Sequence, residues 1–162
     1  MLFKKYFSPV YFYHLFLFLS FSISLNNVIE FEYVNLFFYV LFHLLIIYLC
    51  FYYFYFFLYF VFFFYGVFFD IFLLNNIGPH LLVFIFLLVI VSFIKKFLFN
   101  LSPIKIFYVI IVLMFLIFLF EMIFADIILN YNFDYHKYIK LCNIGTIIIY
   151  PVVFLFSKFD RL

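Results

Sequence analysis

The chain has 162 residues, of which 73% are hydrophobic and only 10% charged, with mean hydropathy +1.38 and a formal net charge of +2. A water-soluble domain of this length cannot hide that much apolar surface, since soluble domains are close to half apolar. The small, scattered positive charge excludes a nucleic-acid binder, and Cys50 and Cys142, without a Cys-x-x-Cys pair, read as apolar fillers.

What remains is an all-α polytopic membrane protein. The length allows six spans of some 20 residues with short loops and no soluble domain. The expected spans in a single membrane domain over 1–162 are 8–25, 33–51, 55–74, 80–94, 104–124 and 139–157. With 35 Phe, 16 Tyr, one Ala and no Trp, the composition follows A+T-rich codons, so single Phe residues say little about function.

Lys4 and Lys5 precede Ser8 and Pro9, a cap and a first-turn proline for span one. A basic start before an apolar run also fits a signal peptide, but the run is long for one and reads as an uncleaved span. His14 inside it reads as a packed side chain. Asn26, Asn27, Glu30 and Glu32 form the first loop. Residues 33–74 carry one charge over 42 residues. One helix of that length would measure about 63 Å, twice a bilayer core of about 30 Å, and tilt cannot absorb the difference. A tight turn is therefore expected near residues 50–55, with Tyr52, Tyr53 and Tyr55 at the headgroups.

Asp70 is the only charge between Glu32 and Lys95, and Gly66 lies four residues before it on the same helix face. Glycine permits close helix approach, while an acid at membrane depth needs a partner or water. Asp70 thus either touches headgroup water or is buried with a partner. Asn75 and Asn76 end the helix, and Gly78 and Pro79 begin the next. Ser102 is the expected cap of the fifth helix. Residues 106–120 include thirteen Ile, Leu, Val or Phe. Their insertion energy of roughly −4 to −8 kcal/mol outweighs the ~3 kcal/mol of Glu121. Glu121 shares a face with Ala125. Residues 126–140 read as a solvated loop, in which Asp134 and His136 are too few to hold a metal. Pro151 lies inside the last span and should kink it or open its backbone.

With both termini cytoplasmic, seven of the nine basic residues fall inside: Lys4, Lys5, Lys95, Lys96, Lys105, Lys158 and Arg161. Lys137 and Lys140 remain outside. Asp70, Glu121, Asn75, Asn76 and His80 then share the outer half of the membrane. No phosphate loop, zinc motif or nucleophile elbow is present, so no catalytic residue, cofactor or metal is expected and the protein is not expected to be an enzyme.

The chain resembles the rod shape-determining membrane protein MreD of bacteria. The resemblance rests on its length and six apparent spans, on Gly66-x-x-x-Asp70 followed by Gly78, on Glu121 late in span five, and on Pro151 in a last span with a basic end. It departs where the family tends to have a Pro before span two and an Asn five residues before the late Pro; here stand Tyr33-Val-Asn35 and Thr146. The resemblance implies a non-enzymatic, multi-pass subunit of the cell-elongation machinery in the cytoplasmic membrane. Its partners would be MreC, RodA with its penicillin-binding protein, and the MreB filament. The helix-packing residues would be Gly66, Asp70, Gly78, Glu121 and Pro151. The substrate-capturing subunit of an energy-coupling-factor vitamin transporter is the alternative. Such subunits dock their motor through small residues spaced four apart on an early helix, and the first span here has no Ala or Gly.

Overall fold

The computed structural model describes residues 2–25, 32–53, 55–98, 103–130, 132 and 134–159. All regular structure among these residues is helical: α1 (Leu2–Leu25), α2 (Glu32–Tyr52), α3 (Leu58–Phe69) continuing into a π-helical turn (Asp70–Leu74), α4 (Pro79–Leu98), α5 (Pro103–Leu129) and α6 (Tyr135–Phe159). Three helical segments, Glu32–Tyr52, Lys105–Leu129 and Tyr135–Leu155, are long and apolar enough to cross a membrane. Shorter apolar segments cover Tyr13–Ser24, Leu58–Leu74 and Pro79–Ile94.

The bundle is built around α2. Val40 and every residue from Leu41 to Cys50 are buried, as expected for a helix apolar on all sides that is surrounded by other helices. α1, α6, α5 and α4 all pack on it, and α3 pairs with α4. The chain leaves α2 after Tyr52 and re-enters helix at Leu58, slightly later than the expected turn. Tyr55 does not stand free at this turn, because its hydroxyl pairs with His14 Nε2 at 3.0 Å and ties α1 to the α2–α3 connection.

Helix ends follow local chemistry. Asn75 (φ 55°) and Asn130 (φ 53°) stop the π turn and α5 in the left-handed conformation that Asn tolerates. Two expectations need correction. α1 begins at Leu2, so Ser8 and Pro9 lie inside it and not at its start, and Pro9 has no N–H to offer the Lys5 carbonyl. The polar stretch 126–140 is mostly helix. α5 runs to Leu129, and α6 starts at Tyr135, where Asp134 Oδ1 accepts the Lys137 amide at 3.1 Å as an N-cap. Lys140 on the first turns of α6 pairs with Glu32 at 2.8 Å, closing the rim between α6 and α2. Ser102, Asn26, Asn27 and Glu30 lie outside the described residues.

Two glycines mark close helix contacts of different stiffness. A Cβ at Gly66 would lie 2.6 Å from Leu81 Cα and 3.1 Å from its amide nitrogen, so α3 crosses the backbone of α4 here. A Cβ at Gly145 would meet the Met114 side-chain end at 2.5 Å, and a methionine tip can swing away. Gly66→Ala should therefore lower the unfolding midpoint in detergent by the equivalent of about 1–3 kcal/mol. Gly145→Ala should cost clearly less. Equal losses would show that the α3–α4 crossing is not limited by backbone contact.

Candidate functional site

The site begins with the start of α4. The first helical bond of α4 runs from the Leu82 amide to the Gly78 carbonyl at 3.0 Å, which makes Gly78 the N-cap. Glycine has no side chain to cap with, and Pro79 has no N–H. The remaining amides are taken by a carboxylate from the neighbouring helix. Asp70 Oδ2 accepts Gly78 N at 2.8 Å and Leu81 N at 3.1 Å, and Oδ1 accepts His80 N at 2.9 Å. His80 Nδ1 adds a fourth donor to Oδ1 at 2.8 Å. The positive end of the α4 dipole also faces this carboxylate. Asp70 is 0% exposed, which decides between its two sequence readings: it is buried with partners, as the cap of α4. The π-helical turn that starts at Asp70 carries the chain from this contact to Asn75.

His80 extends the site into the bundle. Its Nε2 meets the Tyr39 hydroxyl at 3.0 Å. Tyr39 donates to Glu121 Oε2 at 2.7 Å, and Glu121 Oε1 meets His43 Nε2 at 2.6 Å. His43 Nδ1 donates to the Tyr39 carbonyl at 2.7 Å, one helical turn back on α2. Four helical elements thus contribute one hydrogen-bonded series: the π turn, α4, α2 and α5. Phe69 stacks on His80 with ring centres 5.4 Å apart, and Phe84 and Phe118 flank His43 at 5.5 and 5.4 Å. This aromatic wall keeps the polar series in a low-dielectric surround, where satisfied hydrogen bonds are strengthened and unsatisfied ones are expensive.

Of the residues expected to share the outer half, Asp70, His80 and Glu121 come together here. Asn75 and Asn76 are exposed and stand apart from the series. Gly66 and Gly78 support it as a close crossing and as a cap. Pro151 does not belong to it: it lies exposed within α6, where it withholds the usual donor from the Ile147 carbonyl. His43 and Tyr39 are the residues that sequence reasoning missed. A signal existed, because His43 sits in the middle of an apolar run and Tyr39 lies four residues before it on the same face.

The bonding pattern orders the effects of substitution at Asp70. All four groups that face its carboxylate are donors. Asp70→Asn keeps one acceptor oxygen but turns an NH2 toward two of those donors. Asp70→Leu strands all four. The expected loss of stability is about 3–5 kcal/mol for Asp70→Leu and distinctly less for Asp70→Asn, read from membrane abundance and the unfolding midpoint. Wild-type behaviour of Asp70→Leu would show that the cap contributes nothing.

No protein-family model, curated protein or solved structure matches this chain.

Proposed function

We propose that this chain is a six-span protein of the bacterial cytoplasmic membrane with both termini inside. On this reading it serves as a non-enzymatic subunit of the cell-elongation machinery, of the MreD kind. It acts through helix and loop contacts with MreC and with the peptidoglycan-synthesising pair of RodA and a penicillin-binding protein, alongside the MreB filament.

One observation carries the reading. Gly66, Asp70 and Gly78, the most specific part of the resemblance, belong to one joint: Gly66 lets α3 reach the backbone of α4, Asp70 caps α4, and Gly78 supplies the first capped amide. The pattern therefore has a physical reason to occur as a unit, which hydropathy alone does not supply. Glu121, the second local feature of the resemblance, connects to the same joint through Tyr39 and His80. The polar groups of this site bond to one another inside the bundle. That suits a scaffold that presents its outer faces to other helices. Six spans are supported by the three full-length apolar helices, the three shorter ones and the seven-to-two basic asymmetry.

Two experiments test this. Reporter fusions after residues 30, 53, 78, 100 and 132 should read out, in, out, in, out. An outside signal at 53 or 100 would overturn the topology. Affinity capture from native membranes at endogenous expression should recover MreC and the wall synthases. Recovery of an ATPase module, or a stoichiometric vitamin in the purified protein, would replace this reading with the transporter one.

A further inference from the structure

The distances within the polar series dictate how many protons it holds. His43 Nδ1 faces a carbonyl oxygen, so it must carry hydrogen. Asp70 accepts three backbone amides, so His80 Nδ1 must carry the hydrogen of their contact. Three contacts remain: His80 Nε2 with Tyr39 Oη, Tyr39 Oη with Glu121 Oε2, and Glu121 Oε1 with His43 Nε2. Each is a hydrogen bond only if it contains one hydrogen. Three further protons fill them. With every contact filled, the two imidazoles, the phenol and the two carboxyls carry net charge zero. One arrangement pairs two imidazoliums with two carboxylates. Moving the His80 Nε2 hydrogen to Tyr39, and the Tyr39 hydrogen to Glu121, gives neutral His80 and a protonated Glu121 with the total unchanged.

Among the described residues, no further charged side chain pairs with a member of the series to balance an error. The remaining ring contacts of these side chains are to Phe42, Phe69, Phe84 and Phe118. On α5, Asp126 is exposed; Lys105 is exposed near the helix's other end. Lys140 of α6 is engaged with Glu32 of α2 at the rim, and Tyr138 and Cys142 of α6 are half-buried apart from the series. On α1, His14 pairs with Tyr55; on α3, Tyr65 stacks edgewise on Phe21 and Phe42.

We infer that Asp70, His80, Tyr39, Glu121 and His43 form a single proton-binding site whose filled, charge-neutral state clamps α2 to α4 and α5. One proton more makes two hydrogens face each other and leaves a buried positive charge. One proton fewer makes two lone pairs face each other and leaves a buried negative charge. Either state breaks a contact between helices in a low-dielectric interior, where an uncompensated charge is strongly destabilising. The site stands whatever the chain's partners are.

Proton balance makes two single substitutions respond to pH in opposite directions. In Glu121→Gln the amide can donate to a neutral His43 and accept from Tyr39, so all contacts close without a second imidazolium. Acidification then charges His43 with no counter-charge, and stability falls as pH drops. In His43→Gln the contacts close only with Glu121 protonated. Stability then falls as pH rises and Glu121 ionises. The double variant His43→Gln/Glu121→Gln removes both effects.

The test is helix loss on heating, followed by circular dichroism, for the full chain in detergent from mildly acid to mildly alkaline pH. Across that range Glu121→Gln should lose roughly 5 °C or more on the acid side and His43→Gln a similar amount on the alkaline side, relative to wild type. The double variant should follow the wild-type profile. Should a single variant not fold at neutral pH, the recovered yield reads the same sign: Glu121→Gln returns in alkali and His43→Gln in acid. Parallel profiles for both single variants, or no recovery of either at any pH, would overturn the proton-binding site and leave these side chains as ordinary polar packing.

Discussion

The fold depends on a carboxylate placed at the start of another helix. The first turn of α4 has a glycine cap without a side chain and a proline without an N–H. Its free amides, buried at His80 and half-buried at Gly78 and Leu81, need an acceptor from elsewhere. Asp70 is that acceptor. Its own charge would be costly in this position were it not met by three amides, an imidazole and the positive end of a helix dipole. The two liabilities cancel, and in cancelling they fix the angle and depth at which α3 meets α4. Gly66 completes the joint by removing the one side chain that would hold the backbones apart.

From this joint the polar series runs across the bundle to α2 and α5. Among the described residues, the rings packed against Tyr39 and His43 from outside the series are phenylalanines, which offer no competing hydrogen-bond partner. Helices in lipid gain little from apolar contact alone, since lipid tails are as apolar as leucine. A hydrogen-bonded series with one satisfied geometry therefore supplies specificity that the largely apolar surfaces of α2, α4 and α5 cannot. It selects which face of α2 meets α4 and which turn of α5 meets α2. The aromatic-rich composition fills space around it but does not choose the arrangement.

The opposite end of the bundle is held differently. There, His14 and Tyr55 bridge α1 and the short α2–α3 connection, and Tyr13, Tyr48 and Tyr53 pack as a ring cluster with centres 5.3–6.5 Å apart. No carboxylate takes part in these contacts. Among the described residues the two ends differ in kind, one held by balanced charges and bonded amides, the other by packed rings and the His14–Tyr55 hydrogen bond.

By itself the sequence determined the class and the local grammar. Apolar excess demanded helices for a membrane, and the length of the 33–74 run demanded a break. The four-residue spacing put Gly66 and Asp70 on one face, and asparagines marked a helix end. Each of these follows from short-range geometry or from a sum over composition. Helix ends inside polar stretches were less legible, because Asp126 and His136 look like loop residues until α5 and α6 extend through them. The partners of the buried acids were decided only by tertiary structure. Glu121 meets Tyr39 and His43 across 82 and 78 residues of chain, and Tyr39 meets His80 across 41. No periodicity within one helix encodes such distances. They arise when packing brings α2 between α4 and α5, and only then does a histidine in an apolar run acquire a carboxylate to share a proton with.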